Sequence, residues 1–193
     1  MIAIALLAFS IVLLGFLIRF ESVQALDNLI TYDIQRLRTP YLDTLLTFIT
    51  HLGGSVALST VTILSVGAYY LLGYPREAFL ISICFLVLPL NLLLKEIFHR
   101  PRPAKEKHAI LVRTRGKSFP SGHTMCSTAI YGFNVFLLAA LTQYSPQLLI
   151  GSAFGLLTLI GISRTYVGAH WFTDVLCGWS AGTIIVLLLV TAY

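Results

Sequence analysis

Charge is what this 193-residue chain lacks most: Asp, Glu, Lys and Arg make up 11% of it, against 57% hydrophobic residues and a mean hydropathy of +0.86. Soluble domains carry roughly 25% charge, so a water-soluble globule is excluded and the chain reads as an integral membrane protein. Cysteine is scarce as well. Cys84, Cys126 and Cys177 fall inside apolar runs at separations that suit neither a zinc site nor a disulfide framework, and read as small buried apolar residues. No Lys or Arg precedes the first apolar run, and Arg19 and Glu21 lie before the one loose match to a cleavage site, Val23-Gln24-Ala25. The first segment therefore reads as a retained helix and not as a secretory signal.

What is there is a set of six apolar stretches, roughly 2–18, 55–73, 78–98, 122–142, 147–163 and 171–192. Each approaches the about 20 residues that a helix needs to cross a bilayer, and each is too evenly apolar for the alternating strand of a barrel. The expectation is an all-α integral membrane protein of six transmembrane helices forming one domain over residues 1–193. Between the first and second spans, Leu26, Leu29, Ile30, Ile34 and Leu37 recur at helical spacing with charge on the other side, the pattern of a short amphipathic segment lying in the interface. Pro40 interrupts it, and residues 41–52 offer a further amphipathic turn or two before Gly53-Gly54 opens the second span. This piece reads as a connector, with the alternative that it covers a site from the side. Gly151 and Gly155, and Gly178 and Gly182, are spaced for close helix packing and read as contacts within one bundle, with a monomer expected and dimerisation the alternative.

Of the 13 Lys and Arg residues, eight fall between the third and fourth spans: Lys95, Arg100, Arg102, Lys105, Lys107, Arg113, Arg115 and Lys117. Such a cluster attracts phosphate or acidic lipid head groups; nucleic acid is the partner least suited to a chain that is nearly all membrane helix. Most of these loop cations read as solvated. Lys95, however, ends the third span and opens Lys95-Glu96-Ile97-Phe98-His99-Arg100-Pro101-Arg102-Pro103, whose prolines stop the helix and present Arg102 on a constrained turn. A point charge and a planar guanidinium at fixed separation suit a phosphate.

Two further polar blocks stand at span boundaries. Pro120-Ser121-Gly122-His123 precedes the fourth span, where a helix start leaves N–H groups unpaired and favours an anion. Gly122 leaves room for close approach, Ser121 can cap the helix or donate, and His123 faces the same anion. The third block, Ser163 to Asp174, holds Arg164, His170 and Asp174 among membrane-suited residues. With the chain helical from His170 onward, His170 and Asp174 are four apart and share a face, so the carboxylate holds one imidazole nitrogen while the other meets a substrate. Taken alone, this block could equally be a polar cap on the last helix.

Together the three blocks resemble the type 2 phosphatidic acid phosphatase superfamily of membrane lipid phosphatases. Its signature is a Lys, six residues and Arg-Pro; Pro-Ser-Gly-His; and Ser-Arg, five residues, His, three residues and Asp. Here these are Lys95 with Arg102-Pro103; Pro120 to His123; and Ser163-Arg164 with His170 and Asp174. The resemblance implies that His170 attacks phosphorus to give a phosphohistidine and that Asp174 orients it. His123 then protonates the leaving alcohol and helps water attack the intermediate. Lys95, Arg102, Ser121, Gly122 and Arg164 hold the phosphate oxygens. No metal or other cofactor is expected, since the fixed cations supply the charge and Asp174 is the only carboxylate in the two later blocks.

The small size and the amphipathic piece look most like bacterial members acting on phosphatidylglycerophosphate; undecaprenyl pyrophosphate is the alternative substrate. From another class, a non-catalytic carrier of anionic lipids would use the same cations without needing a nucleophile. All three blocks must meet at one membrane face, because the ends of spans three and five and the starts of four and six share a side. The twelve Lys and Arg residues of the odd-numbered connections, against Arg76 alone in the even ones, put that face in the cytoplasm. The resemblance puts it on the extracytoplasmic face, and that is the side expected here.

Overall fold

The computed structural model describes residues 2–103, 108–112 and 114–193, and among these it contains helices and no strands. Lys105, Lys107 and Arg113, counted above among the loop cations, lie outside the described residues. In chain order the helices are α1 (Ile2–Leu17), α2 (Glu21–Arg36), α3 (Pro40–Leu52), α4 (Ser55–Leu71), α5 (Pro75–Cys84), α6 (Val87–Phe98), α7 (Gly122–Leu141), α8 (Pro146–Tyr166) and α9 (Phe172–Ala192). Four stretches are long and apolar enough to cross a bilayer: α5 and α6 together, α7, α8 and α9. The count reaches six when α1 is taken with α2, bent at 98°, and α4 with α3, bent at 45°.

The third expected span is one crossing but two helices. Pro89 has no N–H to offer the Phe85 carbonyl, so the Leu88 N–H takes it at 3.1 Å and the helix restarts at Val87. Pro40 also does more than interrupt. It occupies the first turn of the 13-residue α3, with Thr39 accepting the Leu42 N–H at 3.2 Å, the place where a missing N–H costs nothing.

At the centre stands α7, whose Met125, Ala129, Ile130, Phe133 and Leu137 are fully buried against α9, α5 and α4. The closest approach is with α9. A Cβ on Gly178 would sit 2.9 Å from Thr124 Cβ and one on Gly182 2.6 Å from the Met125 carbonyl oxygen, so these glycines do the packing expected of them. Gly151 and Gly155 do not: among the described residues a Cβ on either meets nothing within 4 Å, because that side of α8 faces away from the other helices.

The interfacial helix α2 turns a stripe of three polar residues inward, while its charged Glu21, Asp33 and Arg36 stay exposed. Asp27, Thr31 and Gln35, spaced by four, face the protein, while Leu26 and Leu29 are more than half exposed. In lipid this is the stable orientation, since the apolar side chains need no protein partner and the polar ones do. Gln35 donates to the carbonyls of Ala109 and Tyr166 and accepts the Ala109 N–H. From α3, Leu46 and Ile49 pack on Ile160, Tyr166 and Val167. The expected connector is therefore built into the wall of the bundle.

Candidate active site

The loop between α8 and α9 is shaped by the way α8 ends. Gly168 takes a left-handed φ of +73°, and a side chain there would strike the Ala109 carbonyl oxygen. The chain then doubles back, and the N–H groups of Ala169 and His170 reach the Arg164 carbonyl at 3.0 and 3.2 Å. His170 is thus held beside Arg164 by backbone bonds. It precedes α9 and is not part of it, which corrects the expectation of a helix running from His170. Its pairing with Asp174 nevertheless forms. Asp174, in the first turn of α9, accepts the Trp171 N–H at 3.0 Å and His170 Nδ1 at 3.3 Å on the same oxygen, Oδ2.

The other imidazole nitrogen, Nε2, lies 3.2 Å from Arg102 Nη1. A guanidinium can only donate, so Nε2 carries the lone pair and Nδ1 carries the proton given to Asp174. His170, Arg102, Lys95, Arg164, Gly122 and His123 line one cavity of about 190 Å³, joined by Thr114 and Arg115. Six of the expected residues therefore converge where α6 and α8 end and α7 and α9 begin. Asp174 stands behind His170, fully buried. Ser121 is not among the lining residues: it is buried, and its hydroxyl accepts from Thr124 Oγ1 at 3.0 Å.

Two of the cations are braced by main-chain oxygens. Lys95 Nζ donates to the carbonyls of Lys117, Ser118 and Pro120 at 2.8–3.2 Å, so it fastens the loop before α7 while its charge faces the cavity. Arg102 donates to the carbonyls of Gly116, Arg115 and Ala169. Arg164 is different. It is 5% exposed, Thr50 of α3 takes one of its donors, and its Nε has no partner among the described residues. A buried donor without a partner costs about 1–3 kcal/mol or more for a charged group, and here it borders a cavity into which an anion would fit.

Burial, with the positive charge of Arg102, Arg164 and Lys95 behind it, holds the His170 imidazole well below its ordinary range. A lowered value favours the neutral ring, so the nucleophile stays available as the pH falls past the usual histidine value. In ring-labelled protein, the His170 signal, assigned by its loss in His170→Asn, is expected to stay that of a neutral ring through the range where a free imidazole protonates. Half-protonation near 6.5 would contradict the electrostatics.

The sequence model of the PAP2 superfamily matches residues 52–193, about three-quarters of the chain. The chain belongs to the PAP2 superfamily. It is 32% identical over 176 residues to phosphatidylglycerophosphatase B of Bacillus subtilis strain 168, covering 89% of this chain and 85% of that protein. The crystal structure of the first transmembrane PAP2-type phosphatidylglycerolphosphate phosphatase, from Bacillus subtilis, superposes with a TM-score of 0.91 at 30% identity. That match covers 100% of this chain and 96% of the other. Aquifex aeolicus LpxE superposes at 0.67 with 27% identity, over 84% and 93% of the two chains. As a PAP2 protein the chain is an all-helical membrane phosphatase, and the three polar blocks are the part of the fold that brings charge together.

Sequence reasoning passed over Asp27, Arg100 and Thr173, which form a buried network behind Asp174. The signal was present in α2: Asp27, Thr31 and Gln35 recur every four residues, a polar stripe at helical spacing. Among the described residues, no three His, Cys, Asp or Glu side chains gather as a metal-ion site.

Proposed function

We propose that the protein hydrolyses the phosphate monoester of a membrane lipid, with phosphatidylglycerophosphate as the substrate, through a phosphohistidine and without a metal. The observation that carries this reading is the arrangement of His170, with Nδ1 on Asp174 and Nε2 facing a cavity lined by three site cations. The phosphoryl group enters among Lys95, Arg102 and Arg164, with the unpaired N–H groups at the start of α7, at Gly122, as further donors. Arg102 gives up Nε2 to the incoming phosphorus. Nε2 attacks, the P–O bond to the lipid breaks, and His123, protonated once the phosphate anion occupies the cavity, gives its proton to the leaving oxygen. His123, now neutral, takes a proton from water as that water attacks the phosphohistidine, releasing inorganic phosphate and free His170. The cations stabilise the charge that spreads over the equatorial oxygens in both steps.

The identity of the lipid rests on the Bacillus subtilis relatives, whose names carry phosphatidylglycerophosphate. Phosphate release from phosphatidylglycerophosphate, phosphatidic acid and undecaprenyl pyrophosphate, each with and without chelator, tests substrate and metal together. The reading expects the fastest turnover on the first and no effect of chelator. Faster turnover on the prenyl pyrophosphate would move the substrate, chelator-sensitive turnover would bring in a metal, and lipid transfer without phosphate release would make the protein a carrier.

We read the cavity as facing the extracytoplasmic side, which is where the family resemblance puts it. The basic residues on its side argue otherwise by count, and setting aside Lys95, Arg100, Arg102 and Arg164, held there by buried contacts or by the cavity itself, still leaves eight against Arg76 alone. In intact cells, Lys117→Cys should react with a membrane-impermeant maleimide and Arg76→Cys should not. The reverse pattern puts the site in the cytoplasm.

A further inference from the structure

Behind the His170–Asp174 pair lies a chain of buried charges that does not touch the cavity. Arg100, 6% exposed, donates from Nη1 to Asp174 Oδ1 at 2.7 Å and to Thr173 Oγ1 at 2.7 Å. Its Nη2 donates to Asp27 Oδ2 at 2.6 Å. Asp27, 1% exposed, also takes the Thr173 hydroxyl on Oδ2 at 2.6 Å and the Thr173 N–H on Oδ1 at 3.0 Å. One guanidinium thus bridges two carboxylates, and all four carboxylate oxygens accept a hydrogen bond. Asp27 comes from α2, more than 140 residues away in sequence from the helix start it caps.

The charges make this bridge consequential for His170. Asp174 Oδ2 accepts from His170 Nδ1 most strongly while the carboxylate is ionised, and that bond leaves the lone pair on Nε2. A protonated Asp174 would instead donate to Nδ1, placing the ring proton on Nε2 and removing the nucleophile. Two carboxylates buried this close cannot both stay ionised without a counter-charge. Lys95, Arg102 and Cys177 also face Asp174, but at longer range than the direct bond from Arg100.

We propose that Arg100 and Asp27 are positioning residues: Arg100 keeps Asp174 ionised and so fixes the reactive tautomer of His170, while Asp27 on the interfacial helix holds Arg100 in place. The assignment rests on His170 as the nucleophile. It also gives α2 a role, since displacing this helix would remove Asp27 and loosen the pair.

The test compares Arg100→Met and the double variant Asp27→Asn/Arg100→Met with the parent protein, in detergent, by thermal unfolding and by kcat and KM across pH on one phospholipid monoester. The same substrate throughout cancels its own titration. In Arg100→Met, kcat at pH 7 is expected to fall about 10- to 100-fold with KM nearly unchanged. The acid limb of kcat should move up by about one to three pH units, so the deficit shrinks as the pH rises. The single variant also strands Asp27. The double variant should therefore regain thermal stability yet keep the shifted limb. A kcat loss that only tracks the folded fraction, a limb that stays in place, a double variant with parental kcat, or failure of both to fold would overturn the proposal and leave the network a purely structural part. Parental activity that survives His170→Ala would instead remove the reading of the site on which the proposal rests.

Discussion

His170→Ala is expected to abolish phosphate release, lowering kcat by about 10³-fold or more, while the protein unfolds at close to the parental temperature. The loss is large because no neighbouring group can replace the ring. His123 also lines the cavity, but among the described residues no carboxylate is bonded to its ring as Asp174 is to that of His170. The fold has little reason to suffer. His170 lies in a loop fixed through its backbone N–H to the Arg164 carbonyl, a bond that alanine keeps. Phosphate release at the parental rate from the alanine variant would take His170 out of the chemistry.

Arg164→Met should cost about 10²- to 10³-fold in kcat, and vanadate, a phosphate-shaped anion, should inhibit the variant more weakly. Stability should move the other way. Arg164 is a buried cation with one donor on Thr50 and Nε unpartnered among the described residues, so a methionine of similar length removes a desolvated charge from the bundle. The unfolding midpoint is expected to stay level or rise. Activity lost together with stability would instead make Arg164 a structural cation. Such opposed effects are what a site that awaits its anion should give.

Much of this was legible in the sequence because lipid makes polar residues conspicuous. Hydropathy located the spans; His123, Arg164 and His170 stood out because little else near them is charged, and Lys95 and Arg102 because they sit where the third span stops at its prolines. What stayed hidden depended on three-dimensional detail. Pro89 breaks the third crossing, but its apolar neighbours keep that stretch's hydropathy at 2.2, so the run reads as continuous. The turn that sets His170 outside α9 comes from Gly168 and the cap of α8, which spacing alone does not reveal. Arg100 stood in plain view within the first block but was counted among the loop cations, since its partners Asp27 and Asp174 come from opposite ends of the chain. Gly151 and Gly155 had the spacing for close packing but no helix against them.

A covalent phosphoryl group on His170 is the claim beneath every assignment made for this site. Alkaline quenching during turnover of a phospholipid monoester, followed by mass spectrometry of the peptide containing residue 170, measures it directly. The account predicts one acid-labile phosphoryl group on His170, lost in His170→Ala. Turnover that leaves this residue unmodified, or that places the label on another side chain, would contradict it.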